Sequence, residues 1–344
     1  MDKIKIGITH GDPNAVGYEV ILKAFEDPTM LDLCIPIVYG STKMATYHRK
    51  KMDLSTTFHA IKDASDAIPE KLNLVDCIKQ DMEITLGKLT PESVASGKKS
   101  LDIAIEDYKQ GKIDALVVNP LSTTEIKNQL AYLQQALAPE QNPLTVLVTE
   151  DLRIALATTD TPADQIESKL NEELILQRLH QTDQCLKRDF LLTRSRIALL
   201  ALHDEPADTE TQILKPAVEA VAEDRINAYG PYNAETFFNE QLYRPYDAVI
   251  ATSESQAKPY FKSITQGEGV VYMANLPVVC AMPALELQLQ IAGQGKAEPQ
   301  ALNHAIYMAV DVCRNRKAYD KAHKRPLPKL FHDKHDDNRR GNIE

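Results

Sequence analysis

Residues 3–25 read KIKIGITHGDPNAVGYEVILKAF, and this stretch decides the fold class. It begins with a β-branched run at 4–9, which is typical of a strand. A turn follows that contains Gly11 and Gly17, whose lack of a side chain allows a tight change of direction. Apolar residues at helical spacing come next. The stretch therefore predicts a strand, a turn and a helix, the opening unit of an α/β fold.

The alternation of strand-like and helical segments continues along most of the chain. Short apolar or β-branched runs indicate further strands at 34–39, 115–119, 145–148, 154–158, 197–202 and 248–252. Helical patterns lie between several of them, notably at 171–187, where Asn171 is a plausible N-cap, and at 300–316. This order predicts an α/β fold with a largely parallel sheet, in which ligands collect at the carboxyl ends of strands.

The charge and the cysteine content exclude several classes of protein. With 39 basic and 49 acidic residues the formal net charge is −10, which argues against nucleic acid or an anionic membrane as a partner. No run of about 18 apolar residues is present to span a membrane, and the opening MDKIKIGITHGDP lacks the apolar core of a signal peptide. The 5 cysteines are scattered, so reduced thiols and a cytoplasmic location are expected.

The N-terminal turn has two interpretations that its residues leave open. The start of the following helix has backbone amides that can bind an anion, or the turn is a plain connection between a strand and a helix. The pattern is neither a P-loop nor a G-x-G-x-x-G fingerprint, so it does not by itself predict nucleotide binding. For His10, which lies in the turn, exposure to solvent is expected more than a role in a cleft.

The residues ITHGDPNAVGYEVILKAF resemble the opening of the 4-hydroxythreonine-4-phosphate dehydrogenase (PdxA) family, which typically reads G-D-P-x-G-I-G-x-E. The resemblance continues in order over about residues 3–320. The segments that carry it are IVYGSTKMATYHRK, GKIDALVVNPLS, RIALATT, RIALLAL, AYGPYNAETFF, YDAVIATSESQAKPYFK, GEGVVYMANLPVV and IAGQGKA. A collinear set of this kind is specific for common descent and for the fold.

This resemblance implies a two-domain isocitrate/isopropylmalate dehydrogenase-like fold with a cleft between the domains. It places a first α/β domain at 1–122 plus 286–325, a second domain with the dimer interface at 123–285, and a polar tail at 326–344. It also implies a homodimer that oxidises 4-phosphohydroxy-L-threonine with NAD, on the route to pyridoxal phosphate. In the family, a divalent metal held by three histidines polarises the substrate oxygens.

Carboxylates stand where the family has its metal histidines. An ungapped comparison puts Asp160, Glu205 and Glu254 at the three positions, and a two-residue gap would put His203 in place of Glu205. Three carboxylates suit a hard cation such as Mg²⁺ or Mn²⁺. Alternatively the metal is absent and these polar side chains occupy a wet cleft. Both interpretations stay open at this point.

The substrate and cofactor positions differ from the family as well. Lys262 is the lysine kept from the family's phosphate-binding set, and it is the candidate catalytic residue. In the loop that wraps the adenosine end of NAD, Leu285 and Glu286 replace a His-Gly pair, which brings bulk and charge to that position. The candidate cofactor contacts that remain in this loop are Ile291, Ala292 and Gly293.

Three hypotheses follow from these differences. The chain is a degenerate or altered-function paralogue that keeps the family's fold and dimer, or it is an active dehydrogenase with a carboxylate-bound divalent metal. The third hypothesis is a small-molecule binding protein whose acidic interdomain cleft accepts a neutral or cationic ligand. The phosphate positions count against the second, because one lysine does not replace an arginine fork around a phosphate dianion.

Overall fold

The computed structural model describes residues 3–79, 82–121, 126, 128–203 and 208–324, with the backbone alone at 208–211. The described strands are β1 (Ile4–Thr9), β2 (Cys34–Gly40), β3 (His59–Ile61), β4 (Asn73–Asp76), β5 (Ala115–Val118), β6 (Leu144–Val148), β7 (Arg153–Thr158), β8 (Arg196–Leu200), β9 (Asn227–Tyr232), β10 (Ala248–Ser253), β11 (Val270–Ala274) and β12 (Val279–Pro283). The described helices are α1 (Gly17–Ala24), α2 (Met30–Leu33), α3 (Thr42–Lys51), α4 (Pro91–Lys109), α5 (Gln129–Leu137), α6 (Ala163–Lys169), α7 (Glu172–Arg188), α8 (Asp208–Ala220), α9 (Ala234–Asn239), α10 (Glu254–Thr265) and α11 (Gln300–His323).

These strands form one sheet in the order β3-β4-β2-β1-β5-β12-β11-β6-β7-β10-β8-β9. The strands from β3 to β12 in this order pair in parallel and are called the first block. The strands β7, β10, β8 and β9 also pair in parallel and are called the second block. Between the blocks, the pairs β12–β11, β11–β6 and β6–β7 are antiparallel. Because three reversals separate them, the blocks run in opposite directions and their carboxyl ends lie at opposite edges of the sheet.

Successive residues of the central strands pack into different layers, as the two-residue period of a strand requires. In β5, Ala115 and Val117 belong to one buried cluster, whereas Leu116 and Val118 belong to another. Helices α1, α7, α8 and α11 contribute to the first of these layers. On the other face, α4 and α5 cover the first block and α9 and α10 cover the second. The predicted α/β fold with a largely parallel sheet is confirmed.

Most of the predicted elements are present, with small differences at their ends. The Asn171 side chain caps α7 as predicted, since its Oδ1 accepts a hydrogen bond of 2.8 Å from the Leu174 N–H. Helix α11 ends at His323 and not at 316, which adds almost two turns. The short strands β3, β4, β9, β11 and β12 were not predicted. The domain boundaries stay a prediction, and the polar tail at 326–344 lies outside the described residues.

The cysteines agree with the expectation of reduced thiols. All five cysteine side chains are free thiols. Burial raises the pKa of Cys34 and of Cys280 to about 12, so both are neutral core residues at physiological pH. Among the described residues, no helix combines the length and the apolar character that crossing a bilayer requires.

Candidate functional site

A cavity of about 500 Å³ opens at the carboxyl edge of the second block. It lies where β7, β8 and β10 end, which is the place where parallel α/β sheets bind ligands. Helix α6 contributes Asp164 and Glu167, and the segment after β8 contributes His203. Ser253 and Tyr260 line the side formed by α10. Among the described residues, no lysine or arginine lines this cavity.

The side chain of Gln256, which lines this cavity, links two of the segments around it. Ser253 caps α10, since its Oγ accepts a hydrogen bond from the Gln256 N–H. The Gln256 Oε1 accepts from the backbone N–H and the hydroxyl of Thr252, and its Nε2 donates to the Ala201 carbonyl at 2.6 Å. The amide therefore ties the end of β10 to the end of β8. These contacts orient the first turn of α10 toward the cavity.

The predicted metal positions that the structure describes lie just after the ends of β7, β8 and β10. His203 lines the cavity, and Asp160 follows β7 with a left-handed φ of 50°. The Glu254 Oε1 lies 2.9 Å from the Lys258 Nζ, one turn further along α10. Glu205 lies outside the described residues. Within the described ranges no three His, Cys, Asp or Glu side chains are grouped to hold a metal ion. Because Glu205 lies outside those ranges, the three-carboxylate site stays a prediction.

Lys262, the candidate catalytic residue, faces a carboxylate of the same chain. Its Nζ lies 3.0 Å from the Oε1 of Glu286, the residue that stands in place of a family glycine. Both side chains are well exposed, at 68% and 80%, so the pair is screened by water. A phosphate at this lysine would also face the Glu286 carboxylate, whose like charge disfavours its binding.

The candidate cofactor contacts pack against the protein itself. Ile291 and Ala292 lie against the main buried cluster. Gly293 has φ 71°, and a Cβ built on it would lie 2.3 Å from the Leu86 Cδ1. The gap between residues 15–17 and residues 285–287 measures about 10 Å³, which is close to the space that one water molecule needs. A dinucleotide does not fit between these two segments as they stand, and the assignment of residues 291–293 to NAD stays a prediction.

The N-terminal turn is a buried polar network. The Asp12 Oδ1 accepts a hydrogen bond from the Asn14 N–H, and its Oδ2 accepts from the Ser93 hydroxyl. The Asn14 side chain in turn bonds to the backbone of Thr85 and Lys88. These contacts fasten residues 85–88 over the turn, so the turn works as a structural junction between β1, α1 and α4.

His10 is fully buried, so the expectation that this turn histidine is solvated is wrong. Its ring stacks on Tyr18 at 4.9 Å between centroids, and His48 also stacks on Tyr18, at 5.1 Å. Neither ring nitrogen of His10 has a hydrogen-bond partner among the described residues. Burial, assisted by the charge of His48, lowers the pKa of His10 to about 3. The turn closes over a neutral aromatic stack, which the sequence pattern did not reveal.

Replacing His10 by phenylalanine is expected to reduce the loss of stability at acid pH. The folded pKa of about 3 lies below the usual value of about 6.5, so protonation of His10 favours the unfolded chain. The wild-type stability is therefore fully present above about pH 6.5 and falls as the pH decreases toward 3. When the pH is lowered from 7.5 to 5.5, the free energy of unfolding should fall by about 1 kcal/mol less in the variant than in the wild type. Urea unfolding at the two pH values measures this difference. Equal losses in the two proteins would contradict this role.

Sequence reasoning missed the acidic side chains that line the cavity. Asp164 and Glu167 belong to TPADQIESK, the segment that turns from β7 into α6. No motif marks them, but a usable signal was present. The rule that ligands collect after strand ends applies to this segment as well as to the family's metal positions.

The sheet order and the opposed blocks define a class of α/β fold that includes isocitrate dehydrogenase. The solved isocitrate dehydrogenase from Methylococcus capsulatus matches with a TM-score of 0.53, over 93% of this chain and 89% of that chain, at 11% identity. The 4-hydroxythreonine-4-phosphate dehydrogenase from Klebsiella pneumoniae matches with a TM-score of 0.77, over 91% of this chain and 98% of that chain, at 22% identity. Identities this low show the fold alone.

The sequence comparisons narrow this class to one family. The model of the family described as "Pyridoxal phosphate biosynthetic protein PdxA" matches residues 32–309. A 4-hydroxythreonine-4-phosphate dehydrogenase from Bacteroides thetaiotaomicron is 38% identical over 349 residues, covering 98% of this chain and 96% of the relative. The chain therefore belongs to the PdxA family, and the family resemblance of its motifs is confirmed.

Proposed function

We propose that this chain is an altered-function member of the PdxA family, which binds a neutral or cationic polar small molecule and does not oxidise 4-hydroxythreonine-4-phosphate. The observation that carries the proposal is the lining of the 500 Å³ cavity, which has Asp164, Glu167 and His203 but no lysine or arginine among its described residues. Two carboxylates at one cavity favour a cation or a hydrogen-bond donor as the ligand.

The two lysines of α10, the helix that lines one side of the cavity, support this choice of ligand. Lys258 is matched by Glu254 at 2.9 Å, and Lys262 is matched by Glu286 at 3.0 Å. A phosphate dianion is bound most strongly by arginine forks or by cations without a competing carboxylate. In this chain each of these lysines already has a carboxylate beside it.

The decisive experiment is an assay of NAD-dependent oxidation of 4-hydroxythreonine-4-phosphate with Mg²⁺, Mn²⁺ or Zn²⁺ added in turn. The Bacteroides thetaiotaomicron relative, prepared in the same way, is the positive control. We expect turnover far below about 1 per second, the low end for ordinary enzymes. Turnover comparable with the control would overturn the proposal.

A binding experiment tests the charge preference of the cavity separately. Calorimetry should show that 4-hydroxy-L-threonine binds at least as tightly as its 4-phosphate, because the phosphate adds negative charge next to Asp164 and Glu167. In the Glu167→Gln variant, the affinities for the two ligands should differ less than in the wild type. Clearly tighter binding of the phosphate ester by the wild type would argue against the proposed ligand class.

The second candidate function is an active dehydrogenase with a carboxylate-bound metal at Asp160, Glu205 and Glu254. The identity of 38% to a 4-hydroxythreonine-4-phosphate dehydrogenase over nearly the whole chain favours it. Under this alternative the ion would supply the polarisation of the substrate hydroxyl and carboxylate oxygens. It is separated from the first by whether a divalent ion changes the stability of the purified protein.

Replacing Glu254 by alanine is expected to lower stability by less than about 1 kcal/mol, with or without a divalent ion. The exposed pair with Lys258 and the favourable position at the start of α10 each contribute modestly. Glu172→Ala is the matched control, because Glu172 also follows the N-cap of a helix. Thermal unfolding with Mg²⁺, Mn²⁺ and Zn²⁺ measures both variants. A loss confined to Glu254→Ala and to the presence of one ion would favour the metal-dependent dehydrogenase.

A homodimer in the cytoplasm is the expected state of the protein. The family resemblance implies a cleft completed by two subunits, and strand β9 at the edge of the second block has no further neighbour among the described strands. Tyr229 on β9 and Leu242 nearby are exposed apolar side chains, at 39% and 42%. Sedimentation equilibrium at micromolar concentration should give the dimer mass, and a monomer mass would contradict this expectation.

A further inference from the structure

A second cavity, of about 490 Å³, lies at the opposite end of β7 from the first. It is enclosed by the start of β7, the segment after α7 and the outer face of α11. Phe190, Val270 and Val312 give it an apolar floor, and Met308 of α11 closes one side. Cavities of this size with an apolar floor and a few convergent polar groups are typical of small-molecule sites.

Arg153, the first residue of β7, brings into this cavity a positive charge that forms no close ion pair among the described residues. Its guanidinium lies over the Phe190 ring at 4.4 Å, and its Nη1 donates one long hydrogen bond of 3.4 Å to the Asp247 carbonyl. Its Nε is buried without an acceptor, and no described carboxylate lies within ion-pair distance. Burial lowers the pKa of Arg153, and the nearby Asp247 carboxylate offsets this lowering only in part. A guanidinium in this situation gains from a bidentate anion.

The buried carboxylate that lines the cavity cannot supply this match. Asp189 accepts hydrogen bonds from the Arg316 Nε at 2.6 Å and from the Tyr272 hydroxyl at 2.7 Å. Both of its carboxylate oxygens are therefore occupied. Asp189 forms no ion pair with Arg153, so a carboxylate that enters the cavity could pair with this guanidinium.

The rim of this cavity carries the opposite charge. Glu150, Glu268 and Asp311 are exposed at its edge. Among the described residues, Asp311 lies 3.9 Å from Arg314 on the same helix. His304 stands between them, with its Nδ1 2.8 Å from the Glu268 carbonyl oxygen. The cavity thus has one guanidinium beside its apolar floor and carboxylates at its mouth. This polarity matches a molecule with an inner carboxylate and an outer ammonium group.

We propose that this second cavity binds an α-amino acid with an apolar side chain. The ligand carboxylate pairs with the outer edge of the Arg153 guanidinium, and its ammonium group faces the rim carboxylates. The side chain lies against Phe190 and Met308, whose thioether adapts to apolar shapes. The site is separate from the cavity of the proposed function, since the two lie at opposite ends of β7.

The test is calorimetric titration of the full chain with L-phenylalanine as the probe. Phenethylamine, which lacks the carboxylate, and 3-phenylpropionate, which lacks the ammonium group, are titrated in parallel. We expect L-phenylalanine to bind at least about tenfold more tightly than phenethylamine, because phenethylamine has no carboxylate to pair with Arg153. 3-Phenylpropionate should bind more weakly than L-phenylalanine but more tightly than phenethylamine, since the rim is exposed to water.

Variants locate the binding. Arg153→Met should weaken the binding of L-phenylalanine at least about tenfold. Arg196→Met is the matched control, because Arg196 also begins a strand and stacks on tyrosine rings, 5.2 Å from Tyr246, but lies outside this cavity. The control should bind like the wild type. If Arg153→Met does not fold, Arg153→Lys keeps the charge but loses the planar fork, and it should bind clearly more weakly than the wild type.

Three results would overturn the proposal. The first is no binding of L-phenylalanine to the wild type up to about 10 mM. The second is equal affinity for L-phenylalanine and phenethylamine, which would remove the need for an anion at Arg153. The third is unchanged binding in the folded Arg153 variant, which would place the ligand elsewhere.

Discussion

Replacing Arg316 by methionine is expected to destabilise the protein by about 3–5 kcal/mol, because it leaves a buried carboxylate without its counter-charge. Arg316 and Asp189 are almost fully buried, with side-chain exposures of 7% and 3%. The Arg316 Nη2 also donates to the Tyr272 hydroxyl, and its Nη1 donates to the Leu276 carbonyl. The guanidinium therefore joins α11, the end of α7, β11 and the turn before β12, which is the junction between the two blocks.

Chemical unfolding of the Arg316→Met variant, followed by circular dichroism, measures this loss. Arg314→Met is the matched control on the same helix. Arg314 is exposed, and its pair with Asp311 is long, at 3.9 Å. The control should lose less than about 0.5 kcal/mol. The double variant Arg316→Met with Asp189→Leu should recover part of the stability, since removing both charges leaves no unpaired ion. Equal unfolding midpoints for the two single variants would refute this role.

Replacing Gly17 by alanine is expected to cost about 3 kcal/mol or more, since the new methyl group would overlap a backbone atom. A Cβ at this position would lie 1.8 Å from the His10 carbonyl oxygen and 2.9 Å from its carbonyl carbon. Neither atom can move without shifting the end of β1 or the start of α1. The residue is thus fixed as glycine by close backbone approach, in a turn that holds the buried His10 and Asp12.

Gly111→Ala is the control, because it shows what replacing a glycine costs where no atoms overlap. Gly111 has φ 71°, but a Cβ there would meet no atom within 4 Å among the described residues. Its replacement should therefore cost only the strain of a left-handed alanine, about 1 kcal/mol. Thermal unfolding of both variants under one buffer gives the comparison. If Gly17→Ala were no less stable than Gly111→Ala, the close approach would not be limiting.

Local patterns predicted most of the elements and the edge where one cavity lies. The predicted strand at 154–158 became β7 and the predicted strand at 248–252 became β10, and the cavity with His203 opens beyond them. The strands β11 and β12 were not predicted, and Pro277 lies in the turn between them. They are also the strands whose antiparallel pairing reverses the sheet.

The candidate site was predicted only in part. The family positions led to His203 and Glu254, but the sequence could not show that Lys262 faces Glu286. It also gave no sign that Arg153 lines a cavity. Each of these facts depends on which side chains meet after folding. A partner 24 residues away along the chain, as Glu286 is from Lys262, leaves no periodic signal.

The sequence by itself determined the fold class, the family and the strand–turn–helix unit at the N-terminus. These properties depend on short-range spacing and on collinear motifs, which are legible in one dimension. Tertiary structure alone decided that the carboxyl ends of the two blocks lie at opposite edges, that His10 is buried, and that one cavity is acidic while the other encloses an arginine. The physical reason is that strand order, burial and charge compensation arise from contacts between residues far apart in the chain, whose free energies no local pattern encodes.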